Sequence, residues 1–196
     1  MAAARKLEDL IYTYKMYCEM PDDGNRYEII DGVPYAMAAP GRRHQTVLRE
    51  IFGRLFNYLQ GKPCEVFVAP FDIRLALYGE PEDEEINVVQ PDIVVFCDEN
   101  KVDEKGGKGA PDIAIEILSP SSARNDRYRK HSIYEKAGVR EYWIVDAANR
   151  TVEVFVLQDG KFALSALLQE SDILTSTVLE GLEISLSDVL AYPAGG

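Results

Sequence analysis

The sequence predicts an α/β fold in which a mixed β-sheet carries helices on its faces. Segments with helical apolar spacing alternate with short apolar runs bounded by turn residues, and no low-complexity linker interrupts them. With 196 residues, of which 46% are hydrophobic, the chain is long enough to bury one substantial core. We therefore predict a single domain over residues 1–196.

The N-terminal part predicts a helix, a hairpin and a second helix. Apolar residues at near-helical spacing predict the first helix over 7–20. RYEIIDGVPYAMA predicts a β-hairpin, because two apolar runs flank Asp31 and Gly32, a strong turn signal. The second helix is amphipathic and ends at Gly61. Its predicted apolar stripe consists of Val47, Leu48, Ile51, Leu55, Phe56 and Leu59.

Strands dominate the remainder of the chain. PCEVFVAPFDIRLALYG predicts one strand or a bent pair, and the acidic segment 80–87 predicts a solvated loop. QPDIVVF and APDIAIEIL predict two buried strands. A helix from the serines at 121–122 to Gly138 follows, then strands joined by the turns AANR and QDGK. The tail indicates another strand and a short closing helix.

The charge of the chain bears on its partners. A net charge of −12 argues by itself against nucleic-acid binding, which normally requires a basic surface. The charge is uneven, however: EPEDEE carries five acids, whereas RNDRYRKH carries four basic residues against one Asp, and GRRHQ adds Arg42 and Arg43. A local basic face and ordinary solvated helix surfaces are both open interpretations.

The cysteines and the apolar content indicate an intracellular protein. Cys18, Cys64 and Cys97 are odd in number and widely spaced, so neither a zinc knuckle nor a disulfide framework is expected. No segment approaches the ~20 apolar residues of a membrane span, and the N-terminus lacks the features of a signal peptide. We expect a cytoplasmic protein that does not enter membranes.

Two carboxylates are the first candidates for chemistry. Glu116 lies in a buried apolar run, where a carboxylate costs several kcal/mol unless it is paired, protonated or metal-bound. Asp92 opens the preceding buried strand after Pro91. Each has a structural alternative, since Glu116 could pair with a helix cation and Asp92 could be an ordinary strand-edge residue.

Geometry selects Asp92 over Asp112 as the partner of Glu116. Asp112 and Glu116 share one strand and lie four residues apart, so their backbones are ~13 Å apart. Oxygens that bind one Mg²⁺ lie ~2.1 Å from the ion, so its ligands must come from close neighbours such as adjacent strands. Asp92 can meet Glu116 in this way, and Asp112 is expected to cap the start of its strand.

Lys130 is predicted to point inward from the helix. It lies three, four and seven positions before the apolar residues Ile133, Tyr134 and Ala137. Lysine is almost never buried without a partner, and the acids on the preceding strand are the nearest candidates. Tyr134 is expected in the core with its hydroxyl turned toward them. The alternative is that Lys130 extends along the stripe to solvent.

Two more polar residues have open roles. His44, at the start of the amphipathic helix, could contact phosphate or metal, but such a histidine is more often a cap or the partner of a core polar group. Asp72 could bind a second ion, although pairing with Arg74 is the simpler expectation.

A family resemblance joins these residues. Pro-Asp on one strand, then Glu on the next strand, then a helix, resembles the PD-(D/E)XK restriction-endonuclease superfamily. More closely, PDIVVF followed by APDIAIEILSPSSARNDRYRKHSIYEKAGVREYWIVD is similar to the Uma family, also called domain of unknown function 820. The resemblance spans most of the chain, including RYEIIDG. It implies a restriction-endonuclease-like core with an added N-terminal helix and hairpin and added C-terminal strands.

The resemblance also implies a function. Asp92 and Glu116 would bind Mg²⁺ or Mn²⁺, and a lysine would orient or activate the attacking water. The usual lysine position, two residues after Glu116, is Leu118 here, and Lys130 is the matching candidate from the following helix. The reaction would be metal-assisted hydrolysis of DNA phosphodiesters. Phosphates of the DNA would be held by Arg43, His44, Arg124, Arg127 and Arg129.

The oligomeric state and two rival functions follow from the same resemblance. A homodimer is expected, because two sites are needed to cut both strands. The first rival is a catalytically inactive nucleic-acid- or protein-binding module that retains the nuclease fold, which fits Leu118 and the acidic charge. The second is a metal-dependent hydrolase of small phosphate esters.

Overall fold

The computed structural model describes residues 10–120 and 122–191. The helices are α1 Tyr14–Cys18, α2 Arg42–Leu59, α3 His131–Ala137 and α4 Leu186–Leu190, with a 3-10 turn at Glu99–Lys101 and a π-helical turn at Asn125–Lys130. None of these helices combines the length and the apolar character that crossing a membrane would require.

The strands form two six-stranded sheets and one two-stranded sheet within the described residues. They are β1 Arg26–Ile30, β2 Val33–Met37, β3 Glu65–Val68, β4 Ile73–Arg74, β5 Val88–Val89, β6 Ile93–Phe96, β7 Val102–Asp103, β8 Gly106–Lys108, β9 Ile113–Ile117, β10 Glu141–Asp146, β11 Thr151–Gln158, β12 Lys161–Gln169, β13 Ile173–Thr175 and β14 Glu183–Ser185.

The main sheet carries the core. Its strand order is β12-β11-β10-β9-β6-β3, with β9 and β10 parallel and the other pairs antiparallel. The apolar stripe of α2 packs on one face, against residues that include Ile115 and Trp143. Ile133 and Tyr134 pack on the other face, against Ala114 and Tyr142. A mixed sheet covered by helices on both faces confirms the predicted fold class.

The second large sheet was predicted only in part. It has the order β2-β1-β5-β4-β8-β7, in which β1 and β2 are the predicted hairpin and β4 lies in the predicted bent pair of strands. The strands β5, β7 and β8 have only two or three residues, too few for a period-2 pattern that would predict them. The predicted hairpin is confirmed: Asp31 and Gly32 have φ of 49° and 75°, in the left-handed region that a two-residue hairpin turn requires.

The first helix is shorter than predicted. Residues 7–9 lie outside the described part of the chain, and residues 10–13 are not helical. The amide of Tyr12 donates to the carbonyl of Gly32 at 2.8 Å, so this backbone is held by the hairpin turn instead of a helix. Thr13 then caps α1 by accepting from the amide of Met16.

One side chain and one segment differ in burial from the prediction. Phe56, assigned to the core stripe of α2, is 50% exposed, whereas Val47, Ile51 and Leu55 are fully buried. The acidic segment 80–87 is only partly solvated, because Glu85 is buried. The backbone carbonyl of Glu85 accepts from the amide of Tyr14 at 2.8 Å, and this hydrogen bond connects the segment to α1.

The helix predicted from the serines to Gly138 is present but not uniform. A π-helical turn precedes α3, and Gly138, with φ of 87°, ends α3 in the left-handed conformation. Turns of the π type are uncommon and concentrate at functional sites in proteins. Here the turn carries both Asp126 and Lys130 into the interior.

The expectation that the cysteines form no disulfide is wrong for one pair. Cys64 and Cys97 are disulfide-bonded, and Cys18 is free and exposed. The pair flanks the antiparallel register in which Glu65 lies opposite Phe96, so the two cysteines are cross-strand neighbours although 33 positions separate them. Spacing along the chain does not reveal a contact that strand register creates.

Candidate active site

Asp92 and Glu116 meet across two neighbouring strands. In the antiparallel pair of β6 and β9, Ile93 lies opposite Ile115, which places Asp92 across from Glu116. Asp92 Oδ2 accepts from the amide of Ile117 at 2.7 Å and contacts His44 Nε2 at 3.1 Å. The backbone of β9 and a histidine of α2 therefore fix the orientation of the Asp92 carboxylate.

Lys130 points inward, toward these acids. Its ammonium lies 2.9 Å from Glu116 Oε1 and 2.8 Å from Glu28 Oε1, and the residue is 3% exposed. The Tyr134 hydroxyl donates to the same Glu116 oxygen at 2.8 Å. Lys130 and Tyr134 are four positions apart and reach one carboxylate from one side of the helix. The alternative of a lysine that extends to solvent is not what the structure shows.

Sequence analysis missed two acids of this cluster. Glu28 on β1 contacts Lys130, and it also accepts from the amide of Gln90 at 2.7 Å. Asp126 Oδ1 lies 3.6 Å from Lys130 Nζ. The four-residue spacing of Asp126 and Lys130 could have revealed Asp126. No sequence signal could have revealed Glu28, because its position depends on the packing of the second sheet against the first.

Acids outnumber cations in the cluster. Burial raises the pKa of Glu116 well above its usual value, Lys130 lowers it, and Asp126, Asp92 and Glu28 raise it. Burial likewise raises the pKa of Asp126, against the effect of Lys130. For Lys130, burial lowers the pKa, but the charges of Glu116, Glu28 and Asp126 outweigh burial and raise it. The lysine therefore stays charged, and the excess of acid favours a further cation.

The cluster opens into a small cleft of about 100 Å³. All the acids of the cluster line it, together with Lys130 and His44. The buried Gln90 Oε1 and Asp126 Oδ1 make no hydrogen bond within the described residues. A polar cleft with unsatisfied acceptors is suited to water or to a cation more than to an apolar ligand.

Asp112 and Asp72 lie away from the Asp92–Glu116 pair. Asp112 accepts from the amide of Cys97 at 2.7 Å and from Arg140 at 2.9 Å, so it holds the start of β9. Asp72 Oδ1 accepts from Gln90 at 2.7 Å and from the Tyr17 hydroxyl at 3.2 Å. The expected pairing of Asp72 with Arg74 is wrong, because Arg74 forms its ion pair with Asp103 at 2.6 Å.

The predicted phosphate-binding arginines occupy different environments. Arg43 and Arg124 are exposed. Arg127 is paired with Glu153 at 2.5 Å and lies 3.9 Å from Asp146, so its charge is already neutralised. Arg129 is exposed and packs over the ring of Tyr35, with 4.7 Å between guanidinium carbon and ring centroid.

The donor set suits a hydrated divalent ion. No three His, Cys, Asp or Glu side chains converge as a complete metal cage within residues 10–120 and 122–191. Mg²⁺ does not need such a cage, since it keeps several waters and is commonly bound by one or two carboxylates together with substrate phosphates. Asp92 and Glu116 supply two carboxylates on adjacent strands, beside a polar cleft.

The fold and the acidic pair define a class of protein before any comparison. A mixed sheet with helices on both faces and acids from two adjacent strands fits restriction-endonuclease-like proteins, although the lysine that faces Glu116 comes from the following helical segment and not from the strand. The profile of the Uma2 family, described as "Putative restriction endonuclease", matches residues 14–187. The chain belongs to the Uma2 family.

Two further similarities agree with the family. A solved structure described as "a putative nuclease belonging to DUF820" from Anabaena variabilis superimposes with a TM-score of 0.72 at 19% identity, covering 91% of this chain and 97% of that one. This likeness establishes the shared fold. The uncharacterized protein slr1290 of Synechocystis is 25% identical over 148 residues, which cover 75% of this chain and 74% of the relative.

Proposed function

We propose that this protein is a metal-dependent endonuclease that hydrolyses DNA phosphodiester bonds at the Asp92–Glu116 cleft. The observation that carries the proposal is the buried contact of Lys130 with Glu116, beside an aspartate on the adjacent strand. One lysine among four acids leaves a negative cleft that favours a cation. Membership of a family described as "Putative restriction endonuclease" supports the same activity.

Each residue of the cleft has a distinct role in the proposal. Asp92 and Glu116 hold Mg²⁺ or Mn²⁺, which when bound polarises the scissile phosphate and lowers the pKa of a water. His44 and the amide of Ile117 hold Asp92 in place. Tyr134 donates to Glu116, which leaves the second Glu116 oxygen for the ion.

Lys130 is the cation that the protein itself contributes to the cleft. Two of its three N–H donors are used by Glu28 and Glu116, while Asp126 at 3.6 Å lies beyond hydrogen-bonding distance. The remaining N–H can donate to a water or to a phosphoryl oxygen and stabilise the charge that develops there. Glu28 is a positioning residue, since its carboxylate pairs with the same ammonium.

The DNA backbone is proposed to lie across the outer face of the cleft. Arg43, Arg124 and Arg129 are exposed and can reach phosphates, and His44 lines the cleft itself. Arg127 contributes only if DNA displaces its pairing with Glu153.

We further propose a homodimer, since two sites cut two strands, and a cytoplasmic location. The Cys64–Cys97 disulfide is unusual for that compartment.

The test is a nicking assay on supercoiled plasmid with Mg²⁺ or Mn²⁺. We expect the native protein to nick the plasmid, EDTA to prevent it, and Asp92→Ala, Glu116→Ala and Lys130→Ala each to lower the rate about 100-fold or more. Matched controls are Glu82→Ala and Lys161→Ala, a partly exposed acid and an exposed lysine in surface ion pairs, which should cut at the native rate.

Other outcomes identify the rival functions. Activity that survives all three substitutions would place the site elsewhere. Saturable metal binding without strand cleavage would favour a catalytically inactive binding module, in agreement with Leu118 at the usual lysine position. Inhibition by short nucleotides, without affinity for duplex DNA, would indicate a hydrolase of small phosphate esters.

A further inference from the structure

An exposed tyrosine with two arginines lies beside the acidic cleft. Tyr128 is 72% exposed, the largest exposed fraction among the large hydrophobic side chains of the described residues. Arg124 and Arg129 line the same hollow, which has a volume of about 420 Å³. We call these three residues the tyrosine hollow.

Arg129 connects the hollow to the cleft. Arg129 packs over the ring of Tyr35 and donates to the side chain of Asn125. Tyr35 and Asn125 both line the acidic cleft. Lys130, inside the cleft, follows Arg129 directly, so one π-helical turn presents the lysine inward and the hollow outward. A nucleic-acid strand bound in the hollow would therefore lie next to the cleft that holds the proposed metal site.

No acid among the described residues pairs with the arginines of the hollow. Within the described residues, the ion pairs made by the turn come from Arg127 and Lys130, which leaves Arg124 and Arg129 without an acidic partner. In a chain of net charge −12, two such arginines flanking an exposed ring favour an anionic ligand with a flat apolar face. A nucleotide has both features.

The exposed ring distinguishes unpaired from paired nucleotides. Bases in a duplex are stacked on one another, so a surface tyrosine cannot reach their faces, whereas an unpaired base can stack on it. Duplex binding depends on many phosphate contacts, which are disfavoured in a chain whose 33 Asp and Glu outnumber its 21 Lys and Arg. Stacking contributes about 1–3 kcal/mol per base and needs only one well-placed aromatic side chain.

We propose that the tyrosine hollow binds an unpaired nucleotide of single-stranded DNA, with the base on Tyr128 and the adjoining phosphates on Arg124 and Arg129. This inference rests on the proposed DNA substrate and narrows it to single-stranded or locally opened DNA. The next phosphate along the strand then enters the cleft past Tyr35 and Asn125.

The test measures binding without cleavage. Fluorescence anisotropy of a labelled oligo(dT) of about 15 nucleotides is recorded in EDTA for the native protein, Tyr128→Ala and Tyr128→Phe. We expect Tyr128→Ala to raise Kd about 5- to 100-fold and Tyr128→Phe, which keeps the ring, to bind like the native protein. The matched control is Tyr78→Ala, which removes another exposed tyrosine (62%), two residues before the acidic segment 80–87, and should have no effect.

An abasic oligonucleotide of the same length separates bases from phosphates. It should bind more weakly than oligo(dT) to the native protein, and Tyr128→Ala should lose nothing further with it. The inference is overturned if the native protein binds both oligonucleotides equally, or not at all, or if Tyr128→Ala binds oligo(dT) like the native protein. A thermal melt of Tyr128→Ala that matches the native melt excludes misfolding.

The failure of each proposal has a different signature. If oligo(dT) binding behaves as expected but neither the plasmid nor oligo(dT) is cleaved with any metal, the nuclease proposal is refuted and the nucleotide site at the tyrosine hollow stands. If the native protein nicks plasmid but Tyr128→Ala leaves oligo(dT) binding unchanged, only the proposal that the tyrosine hollow binds a nucleotide is refuted.

Discussion

Replacing Lys130 with Met removes the cation that contacts three buried carboxylates. The side chains of Lys130, Glu28, Glu116 and Asp126 are 4%, 6%, 4% and 1% exposed, so water cannot compensate for the loss. Methionine has a similar length, and the substitution therefore removes charge more than volume. Removing one partner of a buried ion pair costs about 3–5 kcal/mol, because the remaining charge is left uncompensated.

The assay is urea denaturation of native protein and Lys130→Met in EDTA at pH 7. We expect Lys130→Met to lower the free energy of unfolding by about 3–5 kcal/mol, a large part of the stability of a typical domain. Saturating Mn²⁺ should recover part of that loss, because a bound cation stabilises only the folded state. The control is Lys161→Met, whose ion pair with Glu135 is at the surface and should contribute at most about 1 kcal/mol.

One result would refute this reasoning. If Lys130→Met and Lys161→Met are equally stable in EDTA, the carboxylates around Lys130 do not depend on its charge. The carboxylates of the buried cluster would then be protonated in the native protein, and their charge would not attract a metal ion.

Three further predictions concern Glu28, the disulfide and His131. Glu28→Gln should slow plasmid nicking about 10- to 100-fold, as expected of a residue that holds a catalytic group, while a native thermal melt shows that the fold is intact. Reduction of Cys64–Cys97 should lower the free energy of unfolding by about 3–4 kcal/mol, and a thiol count of three in the untreated, denatured protein would contradict the disulfide. Burial lowers the pKa of His131, so its contribution to stability is present above pH ~6.5 and is lost as pH falls through its folded pKa. His131→Phe should therefore lose less stability between pH 7 and pH 5 than the native protein, and equal losses in urea titrations would contradict this.

The parts of the fold that sequence predicted are those with local signals. Periodic apolar positions located α2, and turn chemistry at Asp31 and Gly32 located the first hairpin. The inward direction of Lys130 followed from its spacing to Ile133 and Tyr134, which are buried as expected. The spacing rule for helix faces therefore predicted the direction of Lys130 correctly, although the turn before α3 is of the π type.

The parts that sequence could not predict depend on contacts distant in the chain. Glu28 reaches Lys130 only because the second sheet packs beside the first, and Cys64 meets Cys97 only through strand register. The first helix is shorter than the predicted 7–20 for a related reason, since the backbone amide of Tyr12 donates to the hairpin turn. In each case a contact between distant parts of the chain either overrode the local sequence pattern or left no trace in it.

The central claim is that Asp92 and Glu116 share one divalent cation. Anomalous diffraction from crystals soaked in Mn²⁺ tests it directly. We expect one strong peak with an oxygen of each carboxylate about 2.2 Å away, and no such peak in crystals of Glu116→Gln. An empty position between Asp92 and Glu116 at saturating Mn²⁺, or a peak held by other residues, would contradict the account.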